Sequence, residues 1–354
     1  MIMMSTNTVD KVLEVSGKGL VAFSLNSVGQ YLGHAPGGSK KLPVKIFLGS
    51  VPGGSTERAL LSVGVIGSMQ TVIPLRWRLS FNGSTITREF KPQMGASLEE
   101  GYYYKALYDI KPLASRKLEE KSVHTVTAFY DSVHPISLND ISLITVFKAE
   151  DSHYSISYLS GAKVLEPGDK HVSYARIGSW RGGIRRVSIG IMLPSPLSRI
   201  KVAAGGSIEY SVRGPGFKAI DLEVPYRGEE IPVSIRYEPV ENIYPRKAVI
   251  TDIIVYENEN KDNKVSVAIN ESRVDKGLSI KGVLYNEGSS KISEASIDVI
   301  SIDGERIVAK YIGDLGNGES RDFELQSPTA PPRLILRVSW IYNGIRWYKD
   351  YQVK

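Results

Sequence analysis

The sequence predicts an all-β protein: two duplicated jelly-roll-like β-sandwiches followed by a C-terminal immunoglobulin-like β-sandwich. Three observations carry that prediction. The first is composition: among 354 residues tyrosine outnumbers phenylalanine 19 to 8, glycine reaches 33, and no segment has a convincing amphipathic helical period. Aromatic and β-branched richness suits pleated, half-buried strands. The second is a series of short alternating runs closed by Asn-Gly and Asp-Gly pairs, whose residues supply the positive φ of a tight hairpin. The third is an internal repeat across the first two-thirds of the chain.

In chain order, residues 1–26 form an N-terminal extension. Met1-Ile2-Met3-Met4-Ser5 is too short for the apolar core of a signal peptide. No apolar run approaches the ~20 residues of a membrane helix, so a soluble chain without a membrane span is expected. Val12 to Leu25, interrupted by Gly17-Lys18-Gly19, reads as a strand in which Val21, Phe23 and Leu25 share one face. It would open the first sandwich. The sharper reading donates it to a neighbouring subunit by β-augmentation.

The first sandwich is expected over 27–160 and the second over 161–257. In the first, Leu75, Trp77, Leu79 and Phe81 alternate with Arg76, Arg78 and Ser80, and Asn82-Gly83 turns the strand back. Ala114 to Val123, with Leu118 as its apolar anchor, reads as a solvated loop or a single helical turn. The repeat supports the division. Leu61-Ser62-Val63-Gly64-Val65 matches Val187-Ser188-Ile189-Gly190-Ile191, and Leu48 to Gly54 matches Ile177 to Gly183. Val126, Tyr130 and Val133 match Val233, Tyr237 and Val240, each 107 positions on. Ile144 to Phe147 matches Ile253 to Tyr256, and Tyr108-Asp109-Ile110 matches Ile220-Asp221-Leu222. The matching blocks keep one order in both copies, as a duplication requires. The polar run 258–264 reads as a linker.

Residues 265–354 form the last module. Leu278–Tyr285 and Ile292–Ile302 read as strands, Asp303-Gly304 as a turn, and Glu305–Tyr311 and Arg321–Leu325 as further strands. Pro328, Pro331 and Pro332 make a break, and Asn343-Gly344 closes the terminal hairpin. The residues Gly282-Val283-Leu284-Tyr285-Asn286-Glu287-Gly288, the loop Gly313 to Ser320 and that hairpin resemble the CARDB-type immunoglobulin-like modules of archaeal and bacterial surface proteins. The resemblance implies a non-catalytic spacer or adhesive unit at a cell surface. The preceding pair is similar in pattern to an uncharacterised tandem sandwich region of such proteins, carried by Phe81-Asn82-Gly83, Tyr108-Asp109-Ile110 and Ile141 to Phe147.

The chain has no cysteine, which excludes disulfides, thiol catalysis and cysteine-held zinc. It contains no GxSxG, Walker A, HExxH or GxGxxG motif. Its five histidines, His34, His124, His134, His153 and His171, lack metal-ligand spacing. No catalytic residue, metal site or cofactor is assigned. Glu150-Asp151 with Asp140 are the oxygens a calcium ion at a sandwich edge would use, without EF-hand spacing. The net charge of +6 fits a basic soluble surface, and no nucleic-acid-binding motif accompanies it. Absent cysteine with abundant Lys, Arg and Glu suits a thermophile.

Trp180 in a glycine-flanked loop, with Arg181, Arg185 and Arg186, is the candidate ligand site, where a ring could stack on a sugar. Val21, Phe23 and Leu25, and the outward edge Arg346, Tyr348 and Asp350, are the assembly candidates. The expected function is a non-enzymatic structural or adhesive protein. It would assemble through sandwich edges or faces into a surface layer, filament or particle, with itself or other surface proteins as partners. The alternatives are a carbohydrate-binding protein using the Trp180 loop and a viral capsid protein built from tandem jelly rolls.

Overall fold

The computed structural model describes residues 5–353 apart from 35, 50, 52–53, 69–75, 100, 180, 208, 240–243, 261, 274–276, 303–304, 330 and 332. Leu75, the Asp303-Gly304 turn and Pro332 therefore lie outside the described residues. The chain starts with β1 (Ser5–Thr6) and β2 (Val9–Lys18). The first jelly roll then runs through β3 (Leu20–Leu32), β4 (Lys41–Phe47), β5 (Ser55–Gly67), β6 (Arg76–Phe81), β7 (Ser84–Glu89), β8 (Met94–Ser97), β9 (Tyr102–Asp109), α1 (Lys111–Glu120), β10 (Val123–Tyr130) and β11 (Ile136–Lys148). The second comprises β12 (Ser152–Leu165), β13 (Lys170–Arg176), β14 (Ile184–Leu193), β15 (Arg199–Ala204), β16 (Tyr210–Arg213), β17 (Gly216–Glu223), β18 (Glu230–Tyr237) and β19 (Ala248–Asn260).

Both copies wind the same way. One sheet has the order β3-β11-β5-β9, continued by β8 and β1, over β4-β10-β6-β7. The other has β12-β19-β14-β17, with β2 outside β12, over β13-β18-β15-β16. These are the two four-strand sheets of a jelly roll, twice. The boundary between copies falls at 149–151, before β12, rather than at 160, and β19 runs into the stretch read as a linker. The third sandwich packs β20 (Val265–Arg273), β21 (Leu278–Asn286) and β24 (Ser320–Ser327) against β23 (Arg306–Leu315), β22 (Ile292–Ser301), β25 (Leu334–Tyr342) and β26 (Ile345–Val353). Seven strands split three and four make an immunoglobulin-like sandwich.

The jelly rolls pack back to back through their inner sheets, giving four layers. Val21, Ile144 and Val146 of one copy meet Ile156, Tyr158, Ile254 and Tyr256 of the other in a single apolar cluster. The central strands β11 and β19 are therefore buried on both faces and do not alternate. That explains the slip in the sequence repeat. Leu61 pairs with Leu143, and its equivalent Val187 pairs with Val255. Leu143 thus corresponds to Val255 and Ile144 to Tyr256, rather than to Ile253. A bulged residue in each strand, Asn139 or Thr251, leaves Asp140 opposite Gly64 and Asp252 opposite Gly190. By the same pairing Asp221 corresponds to Leu107, and Asp109 to Glu223.

The N-terminal segment is two strands. At Gly19, where φ is +142° and a Cβ would overlap the Phe147 carbonyl, the chain crosses between copies. β2 pairs with β12 of the second jelly roll, while β3 pairs with β11 of the first. Both halves find partners inside the chain, so this segment is not a strand left over for a neighbour. The stretch read as a loop contains the ten-residue helix α1. Asp109 accepts from the Lys111 amide (3.0 Å), Pro112 sits in the first turn, and buried Leu118 anchors the helix.

Candidate functional site

The three sandwiches meet around a cleft of ≈ 630 Å³. The first jelly roll contributes Phe23 and Leu25 from β3 and, at the rim, Phe47 and Val123. The second contributes Asp221 and Tyr256, and the third Arg337, Arg346, Tyr348 and Glu294. Strand alternation explains the first set: Val21, Phe23 and Leu25 share the face of β3 turned to the second jelly roll, where Phe23 meets Tyr256 edge-on at 5.0 Å. A hairpin explains the last set. Asn343 and Gly344 adopt φ of +49° and +72°, and Gly49 lets the turn approach so closely that a Cβ there would overlap the Gly344 carbonyl.

The assembly candidates therefore come together within one chain. Tyr348 and Asp350 are not an outward edge, because the second jelly roll covers them. Arg186 reaches Asp221 at 2.7 Å and the Tyr348 carbonyl at 3.2 Å, and lies 3.7 Å from Asp350. Arg337 grips Asp350 with two 2.8 Å bonds and donates to the Asp221 carbonyl (2.9 Å). Both guanidiniums lie over the Tyr348 ring, at 5.1 and 5.7 Å. Burial pushes the Asp221 carboxyl up, but Arg186 and Arg337 outweigh it and hold it below the usual carboxylate range. At Glu223, burial prevails and raises the carboxyl. Arg346 stays exposed, paired with Glu294 at 2.6 Å.

The arginine loop is not a ligand platform in the form expected. Trp180 lies outside the described residues. Arg185 is 2% exposed and bonds Glu257 (2.6 Å) and the carbonyls of Gly178 (2.9 Å) and Gly228 (2.6 Å). Arg186 is equally buried, in the junction just described. Strand β14 is buried on both faces, so a solvent-facing side for these arginines does not exist. Arg181 is exposed and lines a separate recess of ≈ 260 Å³ with His153, Glu257 and Glu259.

A third constellation had no counterpart in the sequence reading. Lys105 from β9, Asp140 from β11 and Asp252 from β19 are all 0% exposed, between the jelly rolls. Lys105 Nζ lies 2.6 Å from Asp252 Oδ2 and 3.6 Å from Asp140 Oδ2, and donates to the Thr251 carbonyl (2.9 Å). Tyr158 (2.6 Å) and Ser160 (3.2 Å) donate to Asp252 Oδ1, and Ser142 and Thr251 (both 3.1 Å) to Oδ2. Tyr103 donates to Asp140 Oδ1 at 2.9 Å. Burial holds the Asp140 carboxyl above its usual range against the pull of Lys105. One signal for it was present: a lone aspartate in the middle of a strand buried on both faces, in both copies. The Asp140 side chain points into this junction rather than toward exposed Glu150 at the β11–β12 turn, so the three do not form one calcium site. Among the described residues, no group of three or more His, Asp or Glu could hold a metal ion, and no helix is long and apolar enough to cross a membrane.

No family model matches the chain, and no curated protein matches it. Among solved structures it is similar to β-glucuronidase 2 of Bacteroides uniformis, covalently bound to cyclophellitol-6-carboxylate aziridine (11% identity, TM-score 0.20, 56% of this chain and 26% of that one). It is also similar to the β-glucuronidases of Parabacteroides merdae (10%, TM-score 0.22, 58% and 28%) and Dictyoglomus thermophilum (10%, TM-score 0.20, 57% and 36%). The chain spans between a quarter and two-fifths of the length of these enzymes. Likeness this slight implies no shared chemistry.

Proposed function

We propose that this chain is a non-enzymatic structural protein that assembles through open sheet edges into a filament or layer. One observation carries the reading. The chain uses several edges and faces internally: β2 extends the β12 side of its sheet, and β26 docks against β17 through Arg186, Arg337 and Asp350. Among the edge strands with no strand partner on one side in the described residues are β13 in the second jelly roll and β23 in the third sandwich. Both carry a tyrosine on the outside, Tyr174 at 61% and Tyr311 at 69% exposure. Unlike edges on different sandwiches make a head-to-tail contact, which propagates instead of closing. The CARDB-type resemblance of the last module agrees with such a role at a cell surface. Sedimentation velocity over a concentration series, with electron microscopy of the same samples, tests it. Filaments or sheets are expected, and Tyr174→Lys or Tyr311→Lys should abolish them. A monomer at every concentration and native condition sinks the proposal, and closed particles would favour a capsid role.

A second reading places a glycan in the three-way cleft. Its volume falls within the roughly 300–1,000 Å³ of small-ligand sites. Phe47, 67% exposed, offers a stacking face, and the Arg346–Glu294 pair offers hydroxyl partners. Glycan-array binding that survives Arg346→Ala and Phe47→Ala unchanged removes this site.

A further inference from the structure

We propose that Lys105 and Asp252 are the partners of an intramolecular isopeptide bond joining the two jelly rolls, formed with Asp140 as the catalytic carboxyl. The inference does not depend on assembly, since it concerns how one chain is closed on itself.

Four features of the cluster suit this reaction. The nucleophile and the carboxyl it would attack come from different sandwiches and stand 2.6 Å apart, both without solvent exposure. The Thr251 carbonyl accepts from Nζ at 2.9 Å and orients the amine. Tyr158 and Ser160 donate to Asp252 Oδ1, where negative charge would develop on attack. Asp140 Oδ2, 3.6 Å from Nζ, is buried and has no hydrogen-bond partner among the described residues. An orphaned buried oxygen needs an explanation, and a proton relay supplies one. An ion pair accounts for the 2.6 Å contact and for the 3.6 Å approach of Asp140, but it gives Asp140 Oδ2 no hydrogen bond.

The step balances without any co-reactant. A proton passes from the Lys105 ammonium to Asp252 Oδ2, 2.6 Å away, leaving an amine and a carboxylic acid. The nitrogen lone pair attacks Asp252 Cγ and the N–C bond forms, with Oδ1 taking the charge. Asp140 gives its proton to the departing Oδ2 hydroxyl and recovers one from the nitrogen. The Cγ–Oδ2 bond breaks and the oxygen leaves as water. One ammonium and one carboxylate become one amide and one water.

The test is the intact mass of the denatured full-length chain, followed by peptide mapping. The wild-type chain should weigh one water less than its sequence, and digestion should yield a branched peptide joining Lys105 to Asp252. Lys105→Arg and Asp140→Ala should restore the full sequence mass. In Asp252→Asn the deficit should change from one water to one ammonia. A wild-type chain at full sequence mass overturns the proposal, as does a water loss without the branched peptide. A cross-link that persists in Asp140→Ala overturns the assignment of the catalytic carboxyl.

Discussion

Between the jelly rolls, one lysine meets two aspartates with no solvent exposure. Between the second jelly roll and the third sandwich, two arginines meet Asp221 and Asp350 beside an open cleft. Burial pushes the carboxyls of both junctions up, and the cations facing each one decide whether that push is overcome. Asp140 is pushed up, chiefly by burial, with Asp252 adding to it, whereas Asp221, facing Arg186 and Arg337, is held down despite burial. The two junctions should therefore answer pH with opposite signs. Native Asp140 keeps its proton after the unfolded chain has lost it. Its contribution is present below the ordinary carboxylate range and fades as pH rises through the folded value. Native Asp221 is the reverse: its contribution is present above that range and is lost as pH falls through its lowered value. The raised carboxyl of Glu223 offsets part of the second effect.

The comparison can be broken most sharply at Lys105. Lys105→Met strands a buried carboxylate and should cost about 3–5 kcal/mol in urea unfolding, and Lys105→Met with Asp252→Leu should recover only the part due to that charge, because the cross-link stays lost. Arg186→Ala acts on the more open junction, where water can reach Asp221. A cost of about 2 kcal/mol is expected, with faster proteolysis between the second and third sandwiches and no loss of the jelly-roll pair. Gly64→Ala tests the copies against each other. Its Cβ would overlap Asp140 Oδ1 and the Tyr103 hydroxyl, while in Gly190→Ala the nearest atom is Thr251 Oγ1 at 2.8 Å. About 1–3 kcal/mol is expected for Gly64 and less for Gly190, and equal losses would mean that the duplicated positions carry equal crowding. An acid titration followed by proteolysis should detach the third sandwich first, and simultaneous loss of both junctions would remove the contrast. The smallest effect is Tyr174→Lys, within about 0.5 kcal/mol for folding, so any lost assembly would not stem from unfolding.

The hairpins at Asn82-Gly83 and Asn343-Gly344 were legible because positive φ leaves a residue signature, and all four residues adopt it. Trp77, Leu79 and Phe81 are buried as their alternation demanded. The face of β11 and β19 was not legible, because a strand covered on both sides loses the period that reports its register. Helix α1 escaped because buried Leu118 is its main apolar anchor, with Leu113 left 44% exposed. The sites were harder still. Arg185 and Arg186 read as a surface cluster, and only the third dimension supplies Glu257, Asp221 and Asp350. Lys105, Asp140 and Asp252 are distant in sequence and meet only because two sheets stack.

The crossing at Gly19 carries a consequence for how the chain is made. Strand β2 leaves the ribosome long before Ser152–Leu165, the strand it pairs with. The first jelly roll can close in that interval, with β2 waiting outside it. The second is then completed by capturing a strand made before the first jelly roll, so order of synthesis and order of closure run against each other. A cut between β11 and β12 would separate β2 from its sheet, so the two jelly rolls cannot be divided there without opening the second.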